Sequence, residues 1–134
     1  MKSRDAVTRL KRFEVDEKRR KVADIESMMA EFNDMAVDLD RQIAVEQERA
    51  GISDVNHYAY PTFAKAAMQR RDNLSNSVAG LEAKLGAAKG ELVEAEEELR
   101  KIELKHGLDV ERDRDEAPAP EPEFGMIGIE RAVG

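Results

Sequence analysis

Cysteine is absent from the 134-residue chain, which excludes disulfides, thiolate metal ligands and a cysteine nucleophile, and fits a reducing cytoplasm. Tryptophan is also absent and aromatic residues make up only 4%, too few for a wide globular core. No apolar run approaches the roughly 20 residues needed to cross a bilayer. The start, Met1-Lys2-Ser3-Arg4-Asp5, leads into charge and not into a signal-peptide core. The expectation is a soluble, unexported chain. Neither glycine nor proline occurs before Gly51, so nothing interrupts a helix over the first third of the sequence.

What is present is charge, 38% of all residues, with a net of −7, laid out in blocks. Residues 1–21 hold nine basic and four acidic side chains and residues 22–60 two and nine; residues 61–90 hold five and two, and 91–123 five and thirteen. A chain that doubles back once sets its basic start beside its acidic last block, and the acidic and basic middle blocks beside each other. Complementary blocks favour an antiparallel pair, although each exposed ion pair contributes only about 0–1 kcal/mol.

Apolar spacing supplies the larger driving force. Leu74, Val78, Leu81, Leu85, Ala88, Leu92, Ala95, Leu99, Ile102 and His106 alternate steps of four and three, the seam of a coiled coil. Val22, Ile25, Met29, Phe32, Ala36, Leu39 and Ile43 repeat the pattern upstream. Between the seams, Gly51 through Pro61 read as a loop, with Gly51 closing the first helix and Thr62 a candidate N-cap for the second. Helices over about 3–50 and 62–107 are rods of roughly 70 Å each. Burying several Leu, Ile, Val and Phe side chains at about 1.5–3 kcal/mol apiece favours closing them on each other. The expected fold is therefore all-α: a long two-helix antiparallel coiled-coil hairpin over 1–108, loop 51–61, and a disordered, acidic, Pro-containing C-terminal tail over 109–134, whose first run, Asp109 to Glu116, can carry the second helix on by one or two turns.

Three stretches depart from the simple pattern. Carried back from Val22, the first seam falls on Lys18, Val15, Lys11 and Thr8, whereas the large apolar residues are Val7, Leu10 and Phe13. Either the coil stutters there, or these side chains form a second face for a partner, rimmed by Arg4, Arg9, Lys11, Arg12 and Lys18 to Lys21. Gly80, Gly86 and Gly90 lie off the second seam, as tolerated exposed residues or as room for another helix. After the Pro-rich linker 117–123, Phe124 to Gly134 reads as a disordered end or a tethered docking peptide.

Catalytic constellations are missing from the motif record. There is no phosphate-binding glycine loop, His-Glu-x-x-His or calcium-loop pattern. His57 and His106 fall at opposite ends of the second helix, too far apart in a hairpin to share a metal, and His106 occupies a seam position as a core histidine. Glu94 and Glu96 to Glu98 form a solvated helix face, which gives paired-carboxylate chemistry no footing. A two-helix rod offers no deep concavity, so no enzyme activity, cofactor or metal is expected. The loop His57-Tyr58-Ala59-Tyr60 reads as packing at a hairpin tip or as a site. The basic N-terminal block lacks the parallel zipper of a nucleic-acid-binding fork, and the apolar faces are too interrupted by charge for membrane insertion.

The segment Lys2 to Arg20 (KSRDAVTRLKRFEVDEKRR), the turn Ala50-Gly51-Ile52-Ser53-Asp54 and the run from Tyr60-Pro61-Thr62 to Arg70-Arg71-Asp72-Asn73-Leu74 resemble the FliJ family, the small coiled-coil component of the bacterial flagellar type III export apparatus, in its alphaproteobacterial form. The similarity covers about residues 2–108. It implies a non-enzymatic stalk that inserts its paired helix termini into the hexameric flagellar export ATPase. It also implies contact with the cytoplasmic domain of the membrane export gate and assistance to export chaperones. The protein would then be cytoplasmic and peripherally associated with the inner membrane. On that resemblance Val7, Leu10, Arg12 and Phe13 are the candidate ATPase contacts. For the gate, Phe63 matches the family's aromatic residue, while Ala67, Arg70 and Leu74 stand where a leucine, an alanine and a histidine are expected. Without the resemblance, the residues describe a generic cytoplasmic coiled-coil scaffold or homodimerising protein.

Overall fold

The computed structural model describes residues 2–116, and it is an all-α, two-helix antiparallel hairpin. Helix α1 runs Lys2–Ala50 and helix α2 Thr62–Glu116. The linker 117–123 and the apolar end 124–134 lie outside the described residues.

Gly51 stops α1 for a backbone reason. Its φ of +70° is the left-handed conformation that glycine adopts without steric cost. The Ile52 N–H then donates to the Gln47 carbonyl at 3.2 Å and the Gly51 N–H to that of Glu48 at 3.2 Å, a Schellman closure that satisfies the last carbonyls of the helix. The loop is ordered by its own polar groups: Asp54 Oδ1 accepts from the Asn56 N–H at 2.9 Å, and the Asp54 carbonyl from the His57 N–H at 3.0 Å. Tyr60 is buried, accepting from Gln47 Nε2 at 2.8 Å and donating to Met68 Sδ at 3.7 Å. Its ring therefore ties the end of α1 to the start of α2. The expected cap moves by one residue. The Pro61 carbonyl accepts from the Lys65 N–H at 3.1 Å, so Pro61 opens α2 and Thr62 is its first helical residue.

Two compact units divide the chain, one through Leu99 and the other from Arg100. In the first, the seam of α1 is continuous. Thr8, Lys11, Val15, Lys18, Val22, Ile25, Met29, Phe32, Ala36, Leu39 and Ile43 are all buried or half-buried, in unbroken steps of three and four. The stutter does not occur: the register carries straight through from Val22 to Thr8. On α2 the seam begins earlier than its large side chains, with Ala64, Ala67 and Arg71 preceding Leu74. Leu39, Ile43 and Ala67 form a buried cluster, with Met68 and Leu74 against it.

Ion pairs fix the antiparallel register. As the partner on α1 advances from Lys11 through Lys18 and Glu26 to Asp40, the partner on α2 retreats from Glu98 through Glu91 and Lys89 to Arg71. Basic start thus meets acidic finish, and acidic middle meets basic middle, as the charge blocks require.

In the second unit, residues 100–116 are the last turns of α2, with Ile102, His106, Asp109 and Val110 half-buried. The helix passes the expected end at Gly107 and continues to Glu116, so residues 109–116, placed in the tail by composition, are helical. Gly107 costs about 1 kcal/mol relative to alanine. The helix formers that follow, with Arg112 on Asp109 at 3.2 Å one turn back, carry it on.

Candidate functional site

The N-terminal turns of α1 present two unlike faces. Inward, Val15 is only 2% exposed and Thr8 is buried. Lys11 and Lys18 lay their aliphatic stems along the seam and carry their ammonium groups to its edge. Lys11 Nζ donates to Glu98 at 2.6 Å and to Glu14 at 3.1 Å; Lys18 Nζ donates to Glu91 at 3.0 Å. These contacts shift titration in the expected directions. The Lys11 pKa rises through its hydrogen bonds to Glu98 and then Glu14, and that of Glu91 falls through its hydrogen bond to Lys18, with the Lys18 and Lys21 charges adding to it.

Outward, the apolar side chains find no seam. Val7 is half-exposed, Leu10 is 70% exposed and Phe13 62% exposed. Steps of three residues lag each turn by about 60°, so the three fan over about 120° of the helix surface. Leu10 and Phe13, with Glu14, Glu17, Lys18 and Lys21, line an open hollow of about 560 Å³. Its two lysines both reach Glu91 on α2, Lys18 at 3.0 Å and Lys21 at 3.7 Å. Arg12, the fourth candidate ATPase contact, is exposed on the same turns.

The four candidate gate residues lie within about 60° of one another around α2 but differ in exposure. Ala67 is 3% exposed inside the Leu39 and Ile43 cluster, and Leu74 packs half-buried against it. Phe63 and Arg70 are exposed. Only these last two offer side chains to a partner at that end of the hairpin.

Two features have little signal in the sequence. Tyr58 stands 96% exposed at the hairpin tip, stacked on His57 with ring centroids 4.6 Å apart, while His57 Nδ1 accepts from the Ala59 N–H at 3.0 Å. The second is a pair of open grooves along one edge of the coil. Met35, Asp38, Gln42, Arg70, Asn73 and Ser77 border one, over Leu39 and Leu74. Lys21, Asp24, Met28 and Lys84 border the other, over Ile25 and Leu81. Methionine one position off a heptad seam is an ordinary coil residue in sequence; only the structure shows that its edge is uncovered.

Among the described residues, no group of three or more His, Asp or Glu is placed to hold a metal ion. No helix among them is long and apolar enough to cross a membrane. What the surface offers is exposed apolar and charged area. No family model, curated protein or solved structure matches the chain.

Proposed function

We propose that the chain is a non-enzymatic coiled-coil adaptor that works by holding other proteins along its helices. The observation that carries this reading is the division of labour in α1: Thr8, Lys11, Val15 and Lys18 fill the seam while Val7, Leu10 and Phe13 face solvent. Large apolar side chains placed outward, when the hairpin does not use them, favour a protein contact. The test is capture of partners from cells by the intact chain, compared with the double variant Leu10→Ala, Phe13→Ala. Loss of the captured partner with helicity retained supports the reading; unchanged capture overturns the proposed face.

A finer reading rests on the FliJ-like segments 2–20, 50–54 and 60–74. In it the adaptor is a stalk of the flagellar type III export apparatus, cytoplasmic and peripheral to the inner membrane. Its N-terminal face meets the hexameric export ATPase, and Phe63 and Arg70 are the exposed members of the set toward the export gate. Export chaperones are its third class of partner. The same capture experiment separates the two: co-purification of the export ATPase, sensitive to the Leu10 and Phe13 substitutions, supports the stalk. Capture of unrelated partners through that face leaves a general scaffold.

A further inference from the structure

The two edges of the hairpin are closed differently. On one, ion pairs cross between the helices: Arg19 to Glu96 at 3.1 Å, Lys89 to Glu26 at 3.8 Å and Arg71 to Asp40 at 3.1 Å. On the other, Lys21, Met28, Met35 and Gln42 recur every seven residues on α1 and face Glu91, Lys84, Ser77 and Arg70 on α2. Only the Lys21 end of this edge is ion-paired across the helices among the described residues. From Met28 to Gln42 it is open, and the two grooves lie there.

The open edge carries opposite charge on its two helices. On α1, Asp24, Glu31 and Asp38 repeat every seven residues, all exposed. On α2, Arg70 and Lys84 are exposed at the same levels, bordering the grooves that Asp38 and Asp24 border. Among the described residues neither base makes an ion pair within its own chain, and of the three acids only Asp38 has an ordinary neighbour, Arg41, one turn away on its own helix at 3.2 Å. Met28 and Met35 stand half-exposed between the columns, and Gly80 leaves the α2 side open, with nothing within 4 Å of the position a Cβ would take.

We infer that a second copy of this chain packs on this edge, related by a two-fold axis running along the hairpin. That rotation lays α1 of each copy over α2 of the other at the same level. The acidic column of one copy then meets Lys84 and Arg70 of the other, and this happens twice. Met28 and Met35 of each copy enter the other's grooves, and every neighbouring pair of helices in the resulting four-helix arrangement is antiparallel. The competing two-fold, perpendicular to the helices, sets α1 on α1 and brings Asp24, Glu31 and Asp38 against the same residues of the second copy. Like charges in contact disfavour it. The occupant is therefore chosen by charge as well as by apolar area. The inference uses the middle of the hairpin and stands apart from the N-terminal adaptor face.

The experiment is the mass of the full chain in solution, by sedimentation equilibrium. The wild-type chain is expected at twice its monomer mass at concentrations of about 0.1 mM and above. Lys84→Glu alone, and Asp24→Lys alone, each set like charges across the interface twice and weaken association by about tenfold or more. Mixing the two variants restores both contacts, since each altered charge then faces its opposite, and the mixture returns to the dimer mass. Both positions are solvent-exposed, so helicity stays at the wild-type level and reports that folding is intact. A monomeric wild-type chain overturns the inference, as does a mixture no more associated than the separate variants. Preferential pairing of Asp24→Lys with the wild-type chain indicates the perpendicular two-fold and overturns this one. A monomeric result leaves partner capture through Leu10 and Phe13 unaffected, so the two proposals fail separately.

Discussion

The Lys11 ammonium reaches across from α1 to the Glu98 carboxylate on α2 at 2.6 Å, so a seam position is held by charge where an apolar pair would be expected. The same holds about two turns on, where Lys18 meets Glu91 at 3.0 Å. This end of the hairpin is closed by ion pairs as much as by burial.

Its stability should therefore depend on pH at both extremes. Glu91 has a pKa below the usual 4.5, so its contribution is complete above 4.5 and is lost as pH falls through the lower folded value. Lys11 has a pKa above the usual 10.5, so its contribution is complete below 10.5 and is lost as pH rises through the higher folded value. Melting followed by circular dichroism should show a plateau between these limits, with a fall on the acid side that is shallower in Glu91→Gln. Because these groups lie at the surface, added salt should flatten the difference. An identical acid profile for the variant and the wild-type chain would remove Glu91 from the account.

Ala67 tests the packing at the other end. It lies in contact range of Leu39 and Ile43 with 3% exposure, leaving no room for three added carbons. Ala67→Leu should cost about 1–3 kcal/mol by overpacking, whereas Arg70→Ala, three residues on and exposed, should stay within about 0.5 kcal/mol. Urea unfolding of both variants gives the comparison. A leucine accepted at 67 without loss would mean that the helices separate easily there.

Gly51 tests the turn. A Cβ meets nothing within 4 Å, so any penalty for Gly51→Ala comes from the backbone. At φ +70° that penalty is about 1–2 kcal/mol, read as a lower melting temperature with the helical signal at low temperature retained. Unchanged melting would mean that the turn relaxes to another closure.

These positions also show why the fold was more legible than its surfaces. The spans Val22 to Ile43 and Leu74 to His106 announce themselves because each seam position is apolar at heptad spacing. Upstream of Val22 the same period falls on Lys18, Lys11 and Thr8, while Leu10 and Phe13 pull the eye to another face. The register survives because lysine stems cover a seam nearly as well as aliphatic side chains and their charges find Glu91 and Glu98. Ala64 and Ala67 are faint in sequence for a related reason: their value lies in close helix approach and not in their own apolar area. The end of α2 was placed nine residues early because a single glycine at 107 weighs more in a local reading than the helix formers beyond it. The open edge had no local signal, since it depends on which columns two distant segments leave unpaired.

Thr8 separates stability from specificity in the N-terminal seam. It is buried at a seam position and its Oγ1 has no hydrogen-bond partner, an arrangement that forfeits the hydroxyl's contacts with water without replacement. Thr8→Val keeps the shape and removes the buried polar atom, so the variant should be more stable than the wild-type chain by about 1–2 kcal/mol. Thermal and urea unfolding should agree on the sign. If the hairpin only needed to stay closed, valine would serve better here. A polar seam residue next to Lys11 instead makes this closure weaker than it could be, on the same turns whose outer face leaves Leu10 and Phe13 exposed. Destabilisation by valine would show that the hydroxyl is satisfied in solution and that this end is held more firmly than its side chains indicate.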